Sequence, residues 1–433
     1  MIDDRYLLVR AAAIYGAAML TAIAVVWRRP DRRTLAGALL AFAWNLPALL
    51  AVHLVAIAAG WWRYDVDGGV LLGMPVDLWL AWALLWGPVP AIALPRVPLP
   101  ATAMLAVLVD LVAMPAAAPV VQLGPSWLIG EFASILVCLV PALLLARWTR
   151  ADRHLVARAS LQVVAFSGLL AWLIPLVAIQ GSSTAWTDPR VRSAWFVSLA
   201  VQCLAVPAIL GLSAVQEFVT RGCGTPVPFD PPRHIVTTGI YAYVANPMQS
   251  SAVLFLILLA MIVGNIWVAS AGLIAHVYSV GLAGWDEEED LRSRFGAEWT
   301  VYRQRVRKWI PQWRPWYGET AIATLYVSSE CGVCRQVAAW FEARQVRGLA
   351  IAPAEECAVP LMRITYQSTD GTYTASGIIA IARALEHIHL GWAVAGFAMR
   401  MPVVSNLIQL ITDASGGGPR RIASHNPHVN ARL

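Results

Sequence analysis

Lysine is almost missing. Of the 32 basic residues in this 433-residue chain, Lys308 is the single lysine and the rest are arginine. Charge of either sign is scarce: 13% of residues are charged against 58% hydrophobic, and the mean hydropathy is +0.61. Soluble domains carry roughly 25% charged residues, so a wholly soluble chain is excluded. No small-residue cleavage site follows the first apolar block. Arginines follow it instead, so the block reads as a retained span and not as a cleavable signal. No internal repeat is visible. A second CxxC or CxxH pair is also missing, which argues against a structural zinc site. The net charge of +6 does not signal nucleic acid, because the arginines cluster at the ends of apolar blocks, where membrane proteins keep their topology signals. The dominance of arginine and alanine points to a GC-rich bacterial genome.

The apolar residues come in blocks of about 20, the length a helix needs to cross a bilayer. The expected fold class is therefore an all-α polytopic membrane helix bundle of about nine spans, near 7–27, 35–60, 76–94, 101–122, 126–146, 156–179, 193–217, 249–264 and 266–283. The loops "WRRPDRR" and "ARWTRADRHLVAR" are strongly basic, whereas "VQLGPS" has no arginine. The positive-inside rule then places the N-terminus outside and the whole C-terminus in the cytosol of an inner (plasma) membrane. "TDPRVR" is a weak counter-signal. Asp110 falls mid-span and is a functional candidate, with His53 as its plainest structural partner.

After Pro311 the character changes. "TLYVSSECGVCRQVAAWFEARQ" gives a short strand, a CxxC and an amphipathic helix. Two further strands meet at Asp370-Gly371, a hairpin signal, and a helix follows. This order predicts a small cytosolic α/β domain. The expected division is a transmembrane bundle over 1–190, a membrane core over 191–316 and the α/β domain over 319–433.

Between the seventh and eighth expected spans lies "RHIVTTGIYAYVANPMQSS". It follows a Gly/Pro-rich approach that cannot be helical. Irregular backbone at a membrane is tolerated where it lines a cavity. Past two more spans comes "EEEDLRSRFGAEWTVYRQRVRKWIP". Together these stretches predict a cytosol-facing pocket for a polar small molecule. For Glu287, Glu288 and Glu289 the plain alternative is a solvated charge run. For His276 it is a packing residue.

The two stretches resemble the isoprenylcysteine carboxyl methyltransferase family, itself similar to the phospholipid N-methyltransferases. Gly224-Thr225-Pro226, Val236 to Tyr241, Asn246-Pro247-Met248, Glu287-Glu288, Leu291, Phe295-Gly296, Glu298, Tyr302 and Pro311 match the family pattern. The resemblance implies an S-adenosyl-L-methionine pocket lined by His234, Gly239, Tyr241, Asn246, Pro247, Met248, Glu287, Glu288 and Tyr302, with Glu288 also in a catalytic role. It implies a lipophilic acceptor entering from the lipid bilayer. The family arginine before Asn-Pro is Ala245 here, Gln249 and Ser251 replace its following Tyr and Gly, and Trp299 replaces an aromatic Tyr.

Region 322–421 is similar to the DCC family of thiol-disulfide oxidoreductases, which implies a thioredoxin-like fold with Cys331 as attacking thiol and Cys334 as resolving thiol, fed by a thiol reductant. Val359-Pro360 occupies the place where that fold carries a cis-proline. The family's leading Asp is replaced by Ser329-Glu330. One coherent function is methyl transfer to a lipophilic acceptor that is a thiol, or is released by thiol–disulfide exchange. The alternatives are a membrane reductase of the sterol-reductase type using a nicotinamide cofactor, and a non-enzymatic scaffold or transporter.

Overall fold

The structure is a computed structural model. It describes residues 4–118, 120–181, 192–227, 230–278, 284–318 and 321–422. All but Arg192 of the expected counter-signal at 187–192 and the end of the ninth expected span lie outside the described residues, as do the boundaries at 190–191 and 319.

Among the described residues, seven helices are long and apolar enough to cross a membrane: Tyr6–Arg28, Arg32–Ala59, Val76–Ala93, Leu99–Ala116, Trp127–Ala151, Leu155–Gln180 and Ala194–Gly222. The eighth and ninth expected spans are shorter. They form the helices Pro247–Val263 and Ile266–Tyr278, of 17 and 13 residues. Gly264, with φ +73°, separates them. The expected span 101–122 ends at Ala116, and residues Val121–Leu123 pair antiparallel with Trp62–Tyr64 instead.

The chain divides into two compact units. The first comprises Met1–Thr187, Gly224–Pro231 and Val263–Ala271. Its main core joins Leu50, Leu78, Val120, Cys138, Leu139 and Leu143. Inside the span Trp127–Ala151 a π turn covers Ile135–Leu139. Pro141 has no N–H to offer the Val137 carbonyl one turn back, and Trp44 Nε1 donates to that carbonyl at 2.9 Å. Buried Arg158 pairs with Asp152 at 3.1 Å and Asp230 at 2.7 Å. Asp110 is buried, but its partner is not His53. Trp82 Nε1 donates to it at 3.1 Å and Glu131 hydrogen-bonds its carboxyl. His53 Nε2 faces the Leu72 carbonyl instead, at 3.2 Å.

The second unit comprises Asp188–Cys223, Pro232–Ile262 and Gly272–Leu433. It holds a four-stranded sheet in the order Leu349–Pro353, Ala323–Val327, Thr365–Ser368, Thr374–Ser376. The first pair is parallel and the other two antiparallel. The expected strand–CxxC–helix order and the hairpin at Asp370-Gly371 are both present. No cis peptide bond occurs among the described residues, so the bond between Val359 and Pro360 is trans. A core of Leu325, Phe341, Tyr366, Leu385 and Ile388 sits on the sheet. A second core joins Ala214 of the span Ala194–Gly222, residues 240–244 and Phe397 of the helix Leu390–Met399.

Candidate functional site

Within the second unit the turn residues of the first motif and Tyr302 of the second come together. Gly239–Ala242 forms a single 3₁₀ turn. Gly239 has φ +61°, and a Cβ there would stand 3.0 Å from the Glu217 carboxyl carbon. Only glycine fits both the conformation and the space. Asn246 then leads into Pro247, the first residue of the next helix, where a missing N–H costs nothing.

The distant second motif closes on this turn through backbone and ring contacts. Tyr302 is buried, and its hydroxyl donates to the Tyr241 carbonyl at 2.8 Å. Ala245 N and Asn246 N donate to the carbonyls of Arg307 and Lys308 at 2.9 and 3.1 Å. Ser250 Oγ donates to the Trp309 carbonyl at 3.0 Å. Ala245, where the family arginine would stand, packs with Trp299, Tyr302 and Val306. Apolar contact fills that place. The helix Gly284–Arg305 carrying the carboxylates is kinked at Gly296, whose φ of +52° and ψ of −119° suit only glycine.

Glu288 stands at the edge of this assembly and is half-buried. Lys308 Nζ donates to its Oε2 at 3.1 Å, and Arg292 approaches Oε1 at 3.7 Å. The hydrogen bond from Lys308 holds the Glu288 carboxyl below the usual carboxylate range. The Glu287 side chain lies outside the described residues. His234 is exposed, with its carbonyl turned toward Gly222. Asn246 Nδ2 donates to Gln249 Oε1 at 3.0 Å. His276 packs edge-on against Trp309, with ring centroids 5.1 Å apart.

Beneath the turn lies a charged quartet that sequence reasoning missed. Glu217 receives the Thr238 hydroxyl and pairs with Arg383 at 2.7 Å and Arg400 at 3.5 Å. Glu386 pairs with the same arginines at 3.2 and 2.7 Å. All four side chains are at most 4% exposed. Two carboxylates face two guanidiniums, and a third arginine, Arg221, stands 4.0 Å from Glu217. The Tyr243 hydroxyl, just past the turn, donates to the Glu386 carbonyl at 2.7 Å. The signal was present: Glu217 is the one carboxylate in the apolar span Ala194–Gly222, and such residues are paired or functional.

The cysteines form a separate constellation. Cys331 caps the helix Gly332–Glu342, and its sulfur accepts from Cys334 N at 3.4 Å. Hydrogen bonding from Cys334 pulls the Cys331 thiol below its ordinary value, as expected for a sulfur at a helix N-terminus. Burial pushes Cys334 up to about 12. Below the loop, buried Glu355 accepts from Ser328 Oγ at 2.8 Å and Ser329 N at 3.0 Å. Cys357 is buried as well. No group of three or more metal-ligating side chains occurs among the described residues.

A family model described as phospholipid methyltransferase matches residues 195–298. The match takes in nearly all of the span Ala194–Gly222, the Gly239–Met248 turns and the first part of the helix that carries Glu288, ending before Tyr302. No curated protein and no solved structure matches the chain. The seven apolar helices mark a multi-pass membrane protein, and residues 195–298 are similar to phospholipid methyltransferases.

Proposed function

We propose that this protein is an integral membrane methyltransferase that moves a methyl group from S-adenosyl-L-methionine to a lipophilic acceptor. The observation that carries the reading is the closure of the 239–248 turns, which lie in the segment similar to phospholipid methyltransferases, by Tyr302, Arg307 and Lys308 just past that segment. In this reading the turns wrap the donor, and Glu288 accepts hydrogen bonds from its ammonium or ribose hydroxyls. The apolar helices bring the acceptor from the bilayer. Apolar packing at Ala245 supports an acceptor other than the prenylated carboxylate of the isoprenylcysteine enzymes, because no arginine is present there to hold a carboxylate.

Titration calorimetry of the purified full chain with S-adenosyl-L-methionine tests this. Glu288→Gln removes one charged acceptor, which is worth about 1.5–3 kcal/mol, or roughly 10- to 150-fold in affinity. Absence of donor binding by the folded wild-type protein sinks the reading. Binding of a nicotinamide dinucleotide in its place would transfer the site to reductase chemistry.

The α/β segment joins this proposal as a thioredoxin-like thiol–disulfide exchanger. Cys331 thiolate attacks a disulfide sulfur and expels one thiolate, giving a mixed disulfide. Cys334 then displaces Cys331's partner and leaves the pair oxidised. A thiol reductant restores the pair.

A further inference from the structure

The basic end of the first unit holds a cleft of about 560 Å³ that methyl transfer does not use. Its walls come from the ends of the helices Asp4–Arg28, Arg32–Ala59, Pro88–Ala93 and Val140–Ala151. Four arginines line it: Arg28, Arg29, Arg96 and Arg150. The single carboxylate in the lining is Asp31, and its Oδ1 is engaged by Thr34 N at 2.9 Å as a helix cap. Among the described residues, none of the four arginines makes an ion pair within 4.0 Å. Four like charges around one concavity repel one another, and among the described residues the lining offers Asp31 as its single carboxylate against them.

The guanidiniums are also held in place. Arg28 Nη2 donates to the Ala93 carbonyl at 2.8 Å and Arg150 Nη2 to the Pro95 carbonyl at 2.6 Å. The Ala93 carbonyl ends a helix and lacks an intrahelical partner, and the Pro95 carbonyl lies in the connection that follows, so each bond satisfies a carbonyl and fixes an arginine. Each arginine keeps further N–H donors, in a planar fork that matches phosphate oxygens. Arg28 lies 4.4 Å over the ring of Trp27. Trp27 is exposed on an apolar helix, the position of an interfacial aromatic at headgroup level. The volume falls within the range of small-molecule sites and exceeds the need of a bare oxyanion.

We propose that this cleft is a binding site for a phosphate-bearing anion drawn from the headgroup layer of the bilayer. The recognised chemistry is the phosphate group, whether carried by a phospholipid or free in solution. The plain alternative is that these arginines only set topology and attract anions diffusely.

The test uses the full chain, stripped of lipid in a nonionic detergent. Melting temperature is followed while short-chain phosphatidylglycerol, inorganic phosphate, or diacylglycerol of equal chain length is added. Phosphatidylglycerol should raise the melting temperature saturably, and diacylglycerol should not. The double variant Arg29→Gln/Arg96→Gln should weaken the apparent affinity at least tenfold, the order expected for losing charged hydrogen bonds. Among the described residues neither side chain bonds a backbone carbonyl, so the ligand-free variant should melt no lower than wild type, which shows it folded. Arg153→Gln, on the same basic segment but outside the cleft, should leave binding unchanged. A saturable effect from inorganic phosphate as strong as that from the lipid keeps the phosphate site and assigns it to a soluble source. The proposal fails if no phosphate compound saturates, if diacylglycerol acts equally, or if Arg153→Gln weakens binding as much as the double variant.

Discussion

Two sets of charges in the second unit make opposite use of the same residue types. Glu217, Arg383, Arg400 and Glu386 are at most 4% exposed and each carboxylate pairs with both arginines. Glu288 and Lys308 are 34% and 26% exposed and form one ion pair with Arg292 at its rim. Desolvated charges cannot separate without a large penalty, so the first set fixes geometry. A half-exposed pair is worth little and can be exchanged, so the second set is suited to meet a ligand. The quartet positions the turn through Thr238 and the close approach to Gly239; the exposed pair is what the turn presents.

The largest effect should come from breaking the quartet. Arg383→Met leaves Glu386 facing Arg400 alone, and Glu217 facing Arg400 and the more distant Arg221. Removing one partner of a buried pair typically costs about 3–5 kcal/mol. Chemical unfolding of the purified protein should show that loss, and S-adenosyl-L-methionine binding should fall with it. A change under about 1 kcal/mol would place the quartet with ordinary surface pairs and end the contrast drawn above.

The sheet side of the same unit gives a pH test. His387 is buried beside Tyr317, with ring centroids 4.5 Å apart. Its Nδ1 lies 2.6 Å from the Arg347 carbonyl, which only accepts, so Nδ1 carries the proton. Nε2 then accepts from the Tyr366 hydroxyl at 3.0 Å. Burial lowers the imidazole to about 4. The unfolded chain takes up a proton near pH 6.5, the folded one near 4. Stability is therefore complete above about pH 6.5 and is lost as pH falls toward 4, by on the order of 3 kcal/mol from this group. His387→Asn keeps a donor for Arg347 and should flatten that part of the pH dependence. Equal slopes for variant and wild type would show that other groups govern acid unfolding.

How much of this was legible follows from what each signal needs. Apolar block length placed seven spans, because length alone decides whether a helix crosses a bilayer. At 249–283 Gly264 and Asn265 divide the apolar stretch into two helices, the second of which is described as far as Tyr278. Turn chemistry located the Asp370-Gly371 hairpin, and motif spacing brought Tyr302 to Tyr241. The quartet was not legible. Glu217 and Arg383 are far apart in the chain, and nothing local in "LEHI" or "GFAMR" announces that Glu386 and Arg400 turn inward. The partner of Asp110 was missed for the same reason: Trp82 and Glu131 come from two other helices, and helix packing is not written in either segment.

The cysteine pair carries the contrast to a single residue type. Cys331 has its sulfur on a helix N-terminus and its thiol is lowered, while burial pushes Cys334 up to about 12. Since thiolate is the reactive form, iodoacetamide at neutral pH should modify Cys331 first and leave Cys334 largely unreacted. The rate at Cys331 should level off at a lower pH than for a free thiol. Cys334→Ser should let a mixed disulfide on Cys331 accumulate. Equal alkylation rates at both positions would remove thiol–disulfide exchange from the proposed function.

The smallest effect is the one that bears most directly on the donor site. Lys308→Met removes the partner of Glu288, whose stability contribution at this exposure is about 0.2–1 kcal/mol. The fold should barely respond, since the backbone bond from Asn246 N to the carbonyl of residue 308 does not depend on the side chain. Donor binding should respond in a definite direction. If the donor's ammonium takes the place of Nζ at Glu288, it must first displace the lysine. Deleting the lysine removes that competition and should tighten S-adenosyl-L-methionine binding by up to about fivefold, the equivalent of 1 kcal/mol. Calorimetry on Lys308→Met beside Glu288→Gln reads both arms. Tighter binding in the first and weaker in the second place the ammonium on Glu288. Weaker binding in both assigns Lys308 to the ligand itself, with the donor's carboxylate as its partner, and Glu288 becomes the residue that holds the lysine in position.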